Sequence, residues 1–594
     1  MISSQPSLES TANLESRSSR YRRKLSPRSW FNEERFFLML AIFIGIFSGF
    51  AVVCFRIAIE WGRLLLLGSS LVPTHKRMLL APTLAGLVVA ALVVWVFPAV
   101  RGSGVNQTKS ALYIYDGYIP FRTAIGKFIT SALAIGAGHS LGPEDPSLQI
   151  GASLASALGR LLRLSREKLR LIAPVGAAAG LAAAFNAPIS AVLFVIEEVV
   201  GKWSAGIFGA VVLSAVSSVV VARWFLGSEP MFRIPSVQFI SPEELLAYAM
   251  LGVVGGVASV VFANLIRLLR PPLKALPRWT QFLQPAIAGL LIGIIGYMGA
   301  PQVMGAGYNS IDQAMHDQFT WKMLGIFAGL KILATTLSFV SGTPGGMFAP
   351  TLFIGAMLGG AVGGFERAFF PHLTGSIATY ALVGMGVLFA GFLRAPMTSV
   401  FMVLEVSGNY SIILPVMVAN TLSYLLSRNL QRTPIFEILN RQDGLELPSM
   451  EEQREELVLR IEEAMRPLQA PALLPEESLS AALARTSTLP AEAIVLVDGR
   501  PAGWTVFRRK ELEEIAAKAG GATELRAVVS SRRVPNVYPD QPLEVALKEI
   551  ADWPVLPVVH RASPQQLIGT IALQDILELY RRSGSAERAS GSAG

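Results

Sequence analysis

Glu144 stands in Gly142-Pro143-Glu144-Asp145-Pro146, a Gly/Pro-rich loop that opens a short hydrophobic helix. A helix start carries backbone N–H groups without partners and a partial positive charge, so it attracts anions. A carboxylate there can be a plain cap neutralising its own helix. It can also compete with a transported anion for the same donors. Ionised, it fills the site; protonated, it leaves, and anion passage becomes linked to protons. An intramembrane carboxylate is costly and marks a functional site by default. Asp145 sets a second carboxylate beside the first. Like charges this close resist joint ionisation, so either one of the pair holds its proton or Asp145 points away and caps the helix.

Three further segments carry the same chemistry. Gly102-Ser103-Gly104-Val105 offers a hydroxyl and bare backbone to an anion ahead of a hydrophobic segment. Gly345-Gly346-Met347-Phe348-Ala349-Pro350 does so in the second half of the chain, with the N–H groups of Met347 and Phe348 at a helix start. A run of small residues from Gly176 to Pro188 continues to Glu197-Glu198. Glu198 reads either as a proton-handling carboxylate or as an ordinary solvated one near a helix end. The five histidines show no metal-ligand spacing, and His139 reads as a loop histidine close to Glu144. The single cysteine, Cys54, excludes an internal disulfide framework and reads as packing. No nucleophile–base constellation suggests an enzyme.

The elements that position these residues come in two copies. Lys127–Leu154 is echoed 204 positions later as Lys331–Leu358, so that Gly138 meets Gly342, Gly142 meets Gly346 and Pro146 meets Pro350. Ala187-Pro188, running on to Glu197, is echoed by Ala395-Pro396, running on to Glu405. Paired, interrupted hydrophobic segments in two halves of a membrane protein point to an ion site near the midplane. Of the 594 residues 52% are hydrophobic and 16% charged, and mean hydropathy is +0.49, where a soluble protein carries about a quarter charged residues. Several apolar runs, such as Phe36–Leu67 and Leu171–Val200, exceed the roughly 20 residues that cross a bilayer. Others are cut by Gly and Pro, which is tolerable at membrane depth only where the loose backbone faces protein or a watery cavity.

Residues 1–35 are polar and hold the basic cluster Arg17, Arg20, Arg22, Arg23, Lys24 and Arg28, with no cleavable signal evident. The positive-inside rule keeps that start in the cytoplasm, and Arg160, Arg163, Arg166, Lys168 and Arg170 mark another cytoplasmic loop. The net charge of +9, from 51 Lys+Arg against 42 Asp+Glu, therefore reads as orientation and lipid contact, not nucleic-acid binding. A membrane domain is expected over 36–440, with repeats at about 36–226 and 246–440, then a linker over 441–463. The rest is soluble in composition and repeats at about 65 residues. Leu479 and Leu483 match Leu543 and Leu547, and each unit has a β-like run, a Gly-led strand and a closing helix. The last residues, 584–594, read as a disordered tail.

Together these motifs, in this order, resemble the CLC chloride channel and transporter family over about residues 36–440, and the C-terminal units (464–518 and 525–583) resemble a pair of CBS domains. The resemblance implies an all-α polytopic membrane fold of two inverted-topology repeats with broken helices, followed by an α/β CBS pair. It implies a homodimer in the lipid bilayer with one pathway for chloride and protons in each subunit, and a bacterial inner membrane with the CBS pair in the cytoplasm. Ser103 (with Gly104) would be the central anion's ligand, favouring chloride over nitrate, with Met347 and Phe348 as backbone donors. Glu144 would be the gating glutamate, and Glu198 the internal glutamate found in exchangers.

The departures are Phe436 where a tyrosine hydroxyl is usual, Asn106 for proline, and Pro143 and Asp145 for arginine (or lysine) and glycine. Lys127 and Lys331 either raise the potential behind the pathway or snorkel at a segment edge. Arg394 reads as electrostatic or packing. No cofactor is implied beyond an adenine nucleotide at the CBS pair, where Asp575, with Thr570, fits the ribose-contacting pattern and Arg509 stands at the matching place. Glu144 and Glu198 favour proton-coupled chloride exchange. Phe436 and the altered gate neighbours favour a passive channel or uncoupled transporter. A CBS-regulated cation transporter would need acidic clusters along the path.

Overall fold

The computed structural model describes residues 27–581 apart from 70–72, 202–204, 229–230, 233–242, 371–374, 446, 448–458, 469–471, 499–502, 529–533 and 561–562. The basic cluster from Arg17 to Lys24, the Arg28 side chain, much of the 441–463 linker and the 584–594 tail lie outside these residues. The chain divides into two compact units, Met1–Gln453 and Arg454–Gly594.

The first unit is helical and doubled. Its first half runs α1 (Pro27–Leu66), α2 (His75–Ala91), α3 (Gly104–Tyr113), α4 (Phe121–Gly136), α5 (Glu144–Leu161), α6 (Arg166–Phe185), α7 (Pro188–Phe194) and α8 (Ala205–Leu226). The second half runs α9 (Glu244–Ala275), α10 (Gln284–Tyr297), α11 (Tyr308–Met315), α12 (Trp321–Val340), α13 (Phe348–Phe369), α14 (Ile377–Leu393), α15 (Pro396–Ser407) and α16 (Ile413–Leu430), with α17 (Ile435–Gln442) added at the end. The halves correspond helix for helix, and so does their packing: α5 lies on α6 as α13 lies on α14, and α1 on α8 as α9 on α16. Among the described residues eight helices are long and apolar enough to cross a membrane; the protein is an integral, multi-pass membrane protein.

Helix breaks fall at equivalent places for the same reason. Asn186 (φ 56°) and Arg394 (φ 62°) end α6 and α14 in the left-handed conformation, and Pro188 and Pro396 start the next helix. Proline cannot continue a helix but suits its first turn, where its missing N–H is no loss. Arginine is unusual at such a cap; Arg394 is held there by donating to the carbonyls of Ser427 (2.8 Å) and Gln431 at the end of α16. The centre is packed backbone to backbone. A Cβ on Gly151 would overlap the carbonyl oxygen of Gly176 and one on Gly176 that of Gly151, and Gly355 and Gly384 repeat the arrangement between α13 and α14.

The loops before α5 and α13 meet where the halves join. Gly142 and Gly346 exchange two N–H···O bonds of 2.8 Å in an antiparallel bridge, a reciprocal contact between equivalent residues. The halves also cap each other. Glu405 of α15 accepts from Ile189 N (2.9 Å), Ser190 N (2.7 Å) and Ser190 Oγ (2.5 Å) at the start of α7. Glu197 accepts from Met397 N (3.4 Å), Thr398 N (3.0 Å) and Thr398 Oγ1 (2.8 Å) at the start of α15.

In the second unit, β1 (Ile494–Asp498) pairs antiparallel with β2 (Trp504–Arg508), and β3 (Val555–His560) with β4 (Ser563–Ala572). Helices pack on each hairpin, giving two small α/β layers consistent with a CBS pair. Leu479 and Leu543 are buried in equivalent cores, whereas Leu547, the repeat partner of Leu483, is exposed, because the second unit's helix turns that position outward.

Glu405→Ala should lower stability by about 1–3 kcal/mol, since it strips the acceptor from two N–H groups at the start of α7. A fall in the thermal midpoint of the detergent-solubilised protein, with chloride transport per folded molecule unchanged, is the expected result; an unchanged midpoint would mean that the cap contributes nothing.

Candidate anion site

Three helix N-termini, those of α3, α5 and α13, converge beside the Gly142–Gly346 bridge. Glu144 opens α5 and is fully buried. Its Oε2 accepts from Ala349 N (3.3 Å) in the first turn of α13, and its Oε1 from the Tyr308 hydroxyl. A side chain on Gly142 would meet this carboxylate, so the glycine makes room for Glu144 to fold back over its own loop. Arg56 in α1 acts on it electrostatically. Met347 and Phe348 precede Ala349 where the first N–H groups of a helix lack intrahelical partners.

Asp145 does not cap its own helix. Its Oδ1 accepts from Ser103 Oγ (2.9 Å) and Val105 N (3.1 Å), and its Oδ2 from Gly104 N (2.8 Å). The carboxylate of one broken helix thus sits in the cradle at the start of another. Ser103 is also the N-cap of α3, accepting from Val105 N at 3.2 Å.

The departures at Asn106 and Phe436 are linked: Asn106 Nδ2 donates to the Phe436 carbonyl at 3.0 Å, tying α17 to α3 without a phenol. The Phe436 ring joins those of Phe348 (centroids 6.4 Å apart) and Phe194 (6.4 Å), and Phe194 and Phe348 meet edge to face at 5.0 Å. The wall of the site is therefore aromatic and carries no hydroxyl at this position.

Lys127 does not snorkel. It is fully buried and donates to the carbonyls of Val100 (3.2 Å) and Gly102 (2.8 Å), behind the Ser103 cradle, and it is coupled electrostatically to Asp145. Lys331 repeats the arrangement with the carbonyls of Val303 (2.9 Å) and Gly305 (2.7 Å). His139 is buried with its Nε2 on the Pro82 carbonyl at 3.0 Å, so it serves α2 and not Glu144. A cavity of about 150 Å³, lined by Arg101, Gly102, Arg270, Lys274 and Asp443 among others, opens beside the cradle.

Glu198 lies in the π-helical turn after α7 and forms a buried ion pair with Lys109 of α3. Lys109 is five residues beyond Gly104, about 8 Å along the helix axis. Three partners escaped sequence reasoning: Lys109 of Glu198, and Tyr308 and Ala349 as holders of Glu144. Tyr308 had a signal, since Gly305-Ala306-Gly307-Tyr308 echoes Gly102-Ser103-Gly104-Val105 at an offset of 203.

In the second unit Asp575 accepts from Ala572 N (2.9 Å) and pairs with Arg466, while Thr570 exchanges backbone hydrogen bonds with Arg466 (2.8 and 2.9 Å). Asp575 thus links the start of its own helix to Arg466, with Thr570 on the strand that leads into it.

Broken helices in two inverted halves, aiming N–H groups and carboxylates at one buried point, define a membrane transporter of anions. Comparison with known proteins agrees. The family model described as voltage gated chloride channel matches residues 85–428. A ClcB-like protein of Ralstonia nicotianae is 32% identical over 425 residues, 69% of this chain and 99% of the relative. The H+/Cl− exchange transporter ClcA of Salmonella paratyphi B is 31% identical over 416 residues, 68% of this chain and 87% of the relative. Among solved structures, a slow cyanobacterial Cl−/H+ antiporter matches with a TM-score of 0.63 and 26% identity, covering 69% of this chain and 98% of its own. A eukaryotic CLC transporter, at 21% identity, shares the fold with a TM-score of 0.60 over 91% of this chain and 97% of its own. The chain belongs to the voltage gated chloride channel (CLC) family.

Lys127→Met should destabilise the protein by about 1–3 kcal/mol for each carbonyl left without a donor, read as loss of monodisperse protein or a lowered thermal midpoint. A snorkelling lysine would tolerate the change within about 0.5 kcal/mol.

Proposed function

We propose that this protein exchanges chloride for protons, with Glu144 as the gate. The observation that carries the reading is a buried carboxylate resting on a first-turn N–H of α13 and on one phenol, where an anion would find its donors. Ionised, Glu144 is a tethered anion that closes the path. Protonated, it loses the charge that holds it and releases the Ala349 N–H, with those of Met347 and Phe348, to chloride. Return of chloride and loss of the proton reset the gate, so the two ions move in opposite directions. The Ser103–Gly104 cradle, filled by the Asp145 carboxylate and walled by Phe436, lies next along the path. Glu198 passes protons between the far end of α3 and Glu144. The protein works as a homodimer with one path in each subunit.

A second reading, uncoupled anion transport, is favoured by the Lys109–Glu198 pair. A buried carboxylate engaged by an ammonium must break that pair before it can pass a proton on. The two readings part in proteoliposomes recording chloride efflux and proton uptake together. Under exchange, Glu144→Gln should cut proton uptake by about 10²-fold or more, the usual scale when a positioned acid–base group is lost, while chloride efflux persists without pH dependence. Lys109→Met should raise the protons moved per chloride. Wild-type and Lys109→Met proteins that both carry chloride without protons would establish the uncoupled reading.

A further inference from the structure

We propose that Asp145 is a resident carboxylate that takes the place of an anion at the Ser103–Gly104 cradle, so that this chain carries chloride without binding it there. The inference rests on the reading of that cradle as part of the anion path. Three donors converge on the Asp145 oxygens: Ser103 Oγ at 2.9 Å, Gly104 N at 2.8 Å and Val105 N at 3.1 Å. They are the hydroxyl and the bare backbone that the loop offers to an anion, and they are used up by a side chain from α5.

The occupant is also fenced in. A Cβ on Gly346 would stand 2.7 Å from the Asp145 Cβ, and one on Gly104 would stand 2.6 Å from the Asp145 carbonyl oxygen. Asp145 is 2% exposed, and the Lys127 ammonium behind the loop is coupled to its charge. Glu144 has different partners: Ala349 N of α13 at 3.3 Å, its own N–H and the Tyr308 phenol, none of them in the Ser103–Gly104 cradle. Of the two adjacent carboxylates, Asp145 is therefore the one that fills the cradle. Hydrogen bonds to a charged acceptor are the strong ones, so chloride, which brings no more charge than the carboxylate, does not displace it.

Removal of the side chain should therefore create an anion site absent from the wild type. Chloride binding to the purified full-length protein is followed by titration calorimetry, with size-exclusion profiles to establish folding. Asp145→Gly is expected to bind chloride about tenfold more tightly than wild type, or to add a second binding event. Ser103→Ala should abolish the gain when combined with Asp145→Gly. If the glycine variant fails to fold, Asp145→Ser, which keeps a short polar group on α5 but no charge, replaces it with the same expectation. A variant that folds and binds chloride no better than wild type, or a gain that survives Ser103→Ala, overturns the proposal. Wild-type chloride flux is measured in parallel: its absence would undo the transport reading, whereas normal flux with no gain in binding would undo only the role of Asp145.

Discussion

A helix broken inside a membrane leaves N–H groups that must find an acceptor, and in this protein carboxylates from neighbouring segments provide it. Asp145 serves α3, Glu144 serves α13, Glu197 serves α15 and Glu405 serves α7. An unpaired donor in hydrocarbon costs several kcal/mol, so each break is tolerable only with its acceptor in place. The acceptors come from other helices, so the same bonds that permit the breaks hold the fold together. Glu144, Glu197 and Glu405 also cross between the halves, the last two reciprocally: Glu405 of α15 closes the start of α7, and Glu197, just after α7, closes the start of α15.

The four acceptors share one donor set. Glu197, Glu405 and Asp145 each accept from two N–H groups and a hydroxyl, and Glu144 accepts from Ala349 N, its own N–H and the Tyr308 phenol. The buried lysines complete the arrangement from behind. Lys127 and Lys331 tie down the carbonyls of the loops that present the N–H groups, which fixes the loops' shape.

The architecture was legible because it is written twice. The offset of 204 and the repeated Ala-Pro breaks located the paired helix starts, and the Gly-rich loops located the donors. What could not be read was where each polar side chain goes. Asp145 lies one residue from Glu144, yet its partners are some forty positions away, at the start of α3. Lys109 and Glu198 are 89 residues apart, and nothing in spacing says that a lysine in α3 faces that glutamate. Lys127 looked like a candidate for snorkelling because its burial follows only from the packing of α4 against its neighbours. Tyr308 was hidden by a one-residue slip, since its loop repeats at 203 and not 204. In the C-terminal unit the pattern that places Asp575 near a ribose was visible, whereas Arg466, which engages that carboxylate, is 109 residues away.

The claim on which the account turns is that anion movement is tied to protons through a buried, releasable carboxylate. The most direct measurement is of uphill proton movement by the unaltered protein: proteoliposomes at equal pH inside and out, with membrane voltage clamped by potassium and valinomycin, are given a chloride gradient and the external pH is followed. The account predicts that chloride running down its gradient drives protons the opposite way until a pH difference builds up. Chloride that runs down with no change in pH would contradict it.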